Sequence, residues 1–347
     1  MDKRELLGLR YRCLEDCGFC CTFAPEARPA ELGRLRARFP ALPVVRSGAM
    51  TLLAAQGSCG ACALLTDRRC TAYDDRPAHC RYFPFHVYFG RRTEVYVNRC
   101  CRGVEPAPGD DLETEFRMQV LDNAKTMQLD KGQERAHASH RAFRSAAKQA
   151  GMWGDVDAEV ARGLQRGVGW FRPETWPATP TGEADEAGSP QEAWQLALAS
   201  LSAADPAARP YFLGADLRWL GFRAETGRIV AETLGEDGTL APCADLGVMP
   251  AWPRLPDEVQ AGLLEVLQRL AGRDLMAGSI YHLVDETGYQ VSVADAALIR
   301  LGDVAAELAL RAWILHGLGI AWAAVPAEAE RFYDPAFLDL PTIGNWL

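Results

Sequence analysis

Ten of the chain's 11 cysteines fall between Cys13 and Cys101, and the eleventh, Cys243, stands alone. Ten thiols within 89 residues end either as disulfides or as metal ligands, and the two outcomes belong to different compartments. The opening segment Met1-Asp2-Lys3-Arg4-Glu5-Leu6-Leu7 lacks the apolar stretch of roughly 7–15 residues that marks a secretory signal. The expected address is therefore cytoplasmic, where cysteines serve as metal ligands or catalysts more often than as disulfides.

The spacing supports metal. The first cluster reads Cys13-Leu14-Glu15-Asp16-Cys17-Gly18-Phe19-Cys20-Cys21, the second Cys59-Gly60-Ala61-Cys62 followed by Cys70, and the last Cys100-Cys101-Arg102-Gly103. Gaps of two or three residues let one turn present two sulfurs to one centre. Gly18 and Gly60 sit inside such gaps, where the backbone must bend sharply. Adjacent cysteines diverge, so Cys20-Cys21 and Cys100-Cys101 either serve two centres or use one member each. Four thiolates leave a net −2 around Zn²⁺ or around a [4Fe–4S]²⁺ cluster. Arg68, Arg69, Arg76, Arg81, Arg99 and Arg102 lie close in sequence to cysteines and can offset that charge through hydrogen bonds to sulfur.

Between these clusters runs Cys70-Thr71-Ala72-Tyr73-Asp74-Asp75-Arg76-Pro77-Ala78-His79-Cys80-Arg81-Tyr82-Phe83-Pro84. With the surrounding cysteines, this stretch resembles the CxxCxxCC cysteine-cluster family of zinc- or iron-chelating proteins. The resemblance covers roughly residues 13–104 and implies that Cys13, Cys17, Cys20, Cys21, Cys62, Cys70, Cys80 and Cys101 are the metal ligands. The first gap holds three residues where the family usually has two, and Cys59 and Cys100 are extra. The family implies metal binding more than a reaction.

Two metals compete. Cys59-x-x-Cys62 suits a zinc knuckle. Closely packed cysteines with Phe19, Tyr73, Tyr82 and Phe83 as neighbours suit a shielded iron–sulfur cluster. The favoured reading is one or two iron–sulfur clusters with an electron-transfer or redox role, which would make the chain an iron–sulfur oxidoreductase. The alternative is a Zn²⁺-stapled, non-enzymatic module that binds a partner. A third reading is an S-adenosylmethionine-dependent enzyme. Cys13-x3-Cys17-x2-Cys20 with Phe19 before the last cysteine fits the radical type, and similar clusters occur in flagellin lysine N-methylases. Repeated strand–helix units and a cofactor-binding glycine loop are missing from the sequence. The expected partner is an unidentified protein or small molecule.

Among the histidines, His79 and His86 flank the Cys80 motif. His137 and His140 lie one turn apart on an expected helix. All four read more simply as packing or surface residues than as ligands. His282, His316 and Cys243 read as structural, free cysteines often being buried and inert.

The remainder is ordinary in composition: 347 residues, 48% apolar, 24% charged, net charge −9 and a pI near 5.3. That balance argues against nucleic acid as a partner. Charge is unevenly spread, with +7 over residues 1–104 and −16 over the rest. The expected organisation is a cysteine domain over 1–104, a helical connector over 105–171, a linker or long loop over 172–189 and an α+β domain over 190–347. In the first of these, cysteine and arginine stand where Leu and Ile would normally form a core, so a metal staple is expected. Helices are expected over 31–38, 112–127, 135–150, 155–166 and 256–271, with a further start at Ser189-Pro190-Gln191-Glu192. Glu225-Thr226-Gly227 and Glu286-Thr287-Gly288 are read as two hairpin turns. Residues 308–325 form the most apolar stretch but contain Arg311 and His316. They read as a buried core helix, and no membrane association is expected.

Overall fold

A computed structural model describes the chain apart from residues 49, 106–108, 122–128, 177–187, 204, 207–208 and 347. The fold is α+β. Its centre is the helix Val293–Gly317, which is buried almost all round through Leu301, Val304, Ala305, Leu308, Ala309, Ala312 and Leu315. Helices Pro190–Leu201, Val156–Leu164, Asp274–Glu286 and Val325–Leu338 pack around it. A helix apolar on every face belongs inside a protein or a membrane. Here the surrounding helices bury it, and among the described residues no helix is long and apolar enough to cross a membrane.

Local signals start two of these helices, Pro190–Leu201 and Val156–Leu164, where the sequence placed them. Ser189 accepts a hydrogen bond from the Glu192 amide at 3.1 Å, and the Glu192 carboxylate takes the Gly188 amide at 2.6 Å. Asp155 caps Val156–Leu164 by accepting from the Asp157 and Ala158 amides. The expected helix over 112–127 is formed as Leu112–Gln119, and residues 122–128 lie outside the described residues. Most of the expected linker, 177–187, lies outside them too.

One hairpin is present and the other is not. Thr226 and Gly227 both have positive φ (47° and 77°), the two-residue turn whose twist suits antiparallel strands. It joins Trp219–Glu225 to Arg228–Leu234 within a four-stranded antiparallel meander that also contains Tyr211–Leu213 and Leu240–Val248. The second expected hairpin, over 279–284 and 289–293, is instead the end of helix Asp274–Glu286 and the start of Val293–Gly317. Leu275, Met276, Ile280, Tyr281 and Val284 are all buried. That three-to-four spacing begins upstream of the expected strand, and burial of the resulting helical face overrides strand propensity.

The N-terminal region has small apolar cores of its own, contrary to the expectation that cysteine and arginine replace them. Leu6, Val87, Val95, Leu112 and Phe116 form one, and Leu35, Leu42, Leu53 and Leu64 form another that includes Cys62. The hairpin Phe85–Phe89/Thr93–Val97 receives a third strand, Asn345–Trp346, from the far end of the chain. Buried charges bind the same two regions. The guanidinium of Arg273 holds Glu5 at 2.5 Å and Asp334 at 2.7 Å, and Asp334 also accepts the Arg99 amide at 2.6 Å. The cysteine region and the helical region therefore share an interface stitched by charge as well as apolar contact.

Candidate metal centre

The cysteines are carried on short, sharply bent segments. Gly18 has φ +60°, and a Cβ there would press against Leu65 and Trp219 at 3.1 Å. At Gly60 a Cβ would overlap the Glu236 and Gln56 carbonyl oxygens at 2.3 and 2.4 Å. Glycine is thus needed at both sites to bring the cysteine loops against their neighbours. The Cys62 amide donates to the Cys21 carbonyl at 2.7 Å, tying the first cluster to the second. The helix Ala78–Tyr82 supplies Cys80.

Eight thiols gather around Cys20 and Cys21, which share a hydrogen bond. On the Cys20 side, Cys13, Cys17 and Cys101 are electrostatic neighbours of Cys20 and of one another. On the other side, Cys62 and Cys70 act on Cys21 and on Cys80, and Cys20 acts on Cys62, Cys70 and Cys80 as well, so it neighbours both sides. The eight cysteines singled out by the sequence are among these neighbours, and buried Cys100, on which Cys101, Cys20 and Cys17 act, is another. Among the described residues, no three Cys, His, Asp or Glu side chains form a closed metal-binding group, so the thiols are neighbours without yet being a coordination shell. Thiols of this number and closeness fit a thiophilic metal.

Burial explains most of their titration. It raises the thiols of Cys13, Cys17, Cys70, Cys80 and Cys101, and lifts Cys62 to about 11. Cys21 is raised first because its thiol donates to Cys20. Cys20 is lowered for the reciprocal reason, against burial, with Arg76 helping. Mutual repulsion among the thiolates adds to the rise at most of these positions. A cluster that resists ionisation on its own is discharged by a bound cation, so metal uptake would release protons.

The arginines divide. Arg76 favours the thiolates of Cys13, Cys20, Cys70 and Cys80, and Arg68 favours that of Cys17. Arg69 instead pairs with Asp16 at 2.8 Å on the surface. Arg102 pairs with Glu328 and donates to the Leu213 carbonyl at 2.7 Å. The last two cysteines are held from the helical region, where Arg331 donates to the Arg99 carbonyl at 3.0 Å and the Cys101 carbonyl at 3.5 Å. Trp219, from the four-stranded sheet, donates its indole N–H to the Cys17 carbonyl at 2.9 Å. Nothing in the cysteine motif announces these supports, which come from more than 100 residues away.

Cys59 and Cys100 are the two cysteines of the region that the resemblance leaves out. The Cys59 Sγ donates to the Gly238 carbonyl at 3.4 Å, inside an apolar cluster with Leu213 and Trp219. Cys59 lines the same cleft as Cys62. Cys100 is buried, and Cys101, Asp334, Cys20 and Cys17 all act on its thiol. Cys243 lies exposed on the outer strand Leu240–Val248 rather than buried, because that strand has a neighbour on one side only.

The thiols open onto a cleft of about 1380 Å³, larger than the roughly 300–1,000 Å³ of most small-molecule sites. Cys13, Cys20, Cys21, Cys62, Cys70 and Cys80 lie on one wall, and Pro335, Leu338, Asp339 and Pro341 also line it. Cys20 is accessible by area yet surrounded by protein on nearly every side, as befits a residue facing a deep cleft. His79 and His86 line the cleft as well. Burial lowers both imidazoles, that of His86 to about 4. His137 and His140 line a separate concavity of about 490 Å³ with Arg91, Arg144, Trp153 and Tyr281.

Residues 12–102, about a quarter of the chain, match the model of the CxxCxxCC family, described as "putative zinc- or iron-chelating domain". The match supports metal binding by the cysteine region. No curated protein and no solved structure matches the chain.

Proposed function

We propose that the cysteine region holds two adjacent iron–sulfur centres and that the protein carries out a redox step on a molecule bound in the cleft. Cys13, Cys17, Cys20 and Cys101 would hold one centre, and Cys21, Cys62, Cys70 and Cys80 the other. The observation that supports this reading is the gathering of these thiols around the neighbouring residues Cys20 and Cys21, with Cys20 in electrostatic contact with thiols of both proposed sets. An iron–sulfur cluster supplies reversible electron transfer at such a site.

The chain's own residues suit that role. Arg76 offsets thiolate charge in both groups. The hydroxyls of Tyr11 and Tyr73 donate to the Cys13 sulfur, the kind of outer contact that tunes a centre. Phe19, Phe23 and Phe83 form a run of ring contacts at 5.8 and 5.9 Å beside the first cluster, limiting water at the sulfurs.

Paired variants test the assignment. Cys101→Ser is expected to lose one centre and Cys70→Ser the other, each halving iron and acid-labile sulfide in protein purified without oxygen. Loss of both centres in each variant, or of neither, would overturn the division into two groups.

A further inference from the structure

The helix Leu129–Gln149 changes character along its length. Residues 137–149 carry Arg141, Arg144, Lys148 and two histidines but no acidic residue, although residues 105–347 together carry −16. Phe143 and Ala147 turn into the core. His137, Arg141, Arg144 and Lys148, three or four residues apart, therefore form a stripe on the outward side. Lys148 stands in the last turn, where a cation complements the helix dipole. Arg141 and Arg144 lie further back, beyond the reach of that effect. Among the described residues neither forms an ion pair.

The stripe borders the concavity of about 490 Å³ that also holds Trp153, Asp155 and Tyr281, a volume typical of small-molecule sites. Direct contacts fix its parts relative to one another. The Arg144 guanidinium sits over the Trp153 ring at 5.2 Å, Trp153 stacks on Tyr281 at 5.6 Å, and the His140 ring meets Tyr281 edge-on at 6.1 Å. A guanidinium held over a ring face keeps N–H donors for an oxyanion. Arg91, on the same lining, is already committed: it holds Asp157 at 2.9 and 3.0 Å and Asp274 at 2.6 Å. The Asp155 carboxylate accepts the Asp157 and Ala158 amides.

We infer that this concavity binds a small phosphate monoester, whose phosphate oxygens accept from Arg141 and Arg144 and whose organic body fills the space beside Trp153. His137 and His140 stand beside the two arginines as further N–H donors. Two uncommitted guanidiniums on neighbouring turns match a dianion better than a singly charged carboxylate. The acidic balance of the surrounding chain disfavours nucleic acid, which needs several neutralising contacts along its backbone. The site shares no lining residue with the thiol-lined cleft and does not depend on the metal reading.

The test uses the full-length protein and titration calorimetry with phenyl phosphate, benzoate and a single-stranded oligonucleotide. Wild type is compared with Arg141→Gln, Arg144→Gln and, as a control of the same charge change, Arg117→Gln at an exposed position of the helix Leu112–Gln119. Circular dichroism checks the fold of each. Phenyl phosphate is expected to bind wild type about tenfold or more tighter than benzoate, and Arg141→Gln and Arg144→Gln each to weaken it by about the same factor, the scale of a hydrogen bond to a charged group. Arg117→Gln is expected to bind like wild type. Absence of saturable phenyl phosphate binding, equal affinity for benzoate, or binding that both stripe variants leave intact would overturn the inference. Oligonucleotide binding that is tighter than phenyl phosphate and lost in the same variants would overturn it as well, and assign the stripe to a polyanion.

Discussion

Replacing Arg273 with methionine removes the buried cation that pairs with Asp334 in the helical region and with Glu5 in the cysteine region. The Arg273 side chain is 5% exposed, Asp334 is 0% exposed and Glu5 is 24% exposed. Solvent can compensate part of the loss at Glu5, so the cost falls mainly on Asp334. Breaking a buried pair by removing one partner costs about 3–5 kcal/mol, because the remaining charge is buried without compensation. Asp334 is already raised by burial despite Arg273, and the substitution pushes it further. Its folded form would then hold a proton that the unfolded chain has released above roughly pH 4. Stability of the variant should therefore fall further as pH rises, by up to about 1.4 kcal/mol per unit until the folded carboxyl ionises. Urea unfolding followed by far-UV circular dichroism, with an unchanged dependence on denaturant, gives the loss. A double variant, Arg273→Met with Asp334→Leu, removes the stranded charge and should recover more than half of it. A loss below about 1 kcal/mol at pH 7, or no rescue in the double variant, would refute the assignment of the cost to an unpaired carboxylate.

Three further outcomes are expected. Cys80→Ala should lower metal content while Cys243→Ala leaves it unchanged, since Cys80 sits within the thiol group and Cys243 on an exposed strand; elemental analysis of the purified variants decides it. Cys59→Ala should keep the full metal content yet lose about 1–2 kcal/mol of stability through a small cavity and the lost contact to Gly238, read by chemical denaturation. The His86 imidazole, lowered to about 4 by burial and then by His79 and Arg273, takes up a proton more readily in the unfolded chain. Stability should thus drop as pH falls from about 6.5 towards 4, by about 3 kcal/mol in all, and His86→Leu should flatten that part of the pH profile.

What the sequence made legible was local. Capping at Ser189 and the Thr226-Gly227 turn follow from residues within a few positions of each other. The apolar stretch 308–325 was legible as buried helix, but its end was not: the helix stops at Gly317, where positive-φ Gly319 turns the chain, and a new helix starts at Val325. The short gaps within 13–21 and 59–62, with bent Gly18 and Gly60, were legible in the same way. The misread hairpin over 279–293 shows the limit, because a stretch of six residues suits either element until the buried face upstream is counted. Support of Cys17 by Trp219 and of Cys101 by Arg331 spans more than 100 residues and leaves no mark in the cysteine motif. The cleft is less legible still. Its walls come from the cysteine loops, Tyr211, Pro335 and residues 338–342, which are far apart in the sequence.

The central claim is that the cysteine region carries two iron–sulfur centres. Iron, zinc and acid-labile sulfide, counted on wild-type protein purified without oxygen alongside its absorption spectrum, test it most directly. The account predicts brown protein with iron and sulfide in nearly equal amounts, about eight of each per chain for two [4Fe–4S] centres. Colourless protein with about two zinc ions and no sulfide would contradict it and make the thiols structural ligands.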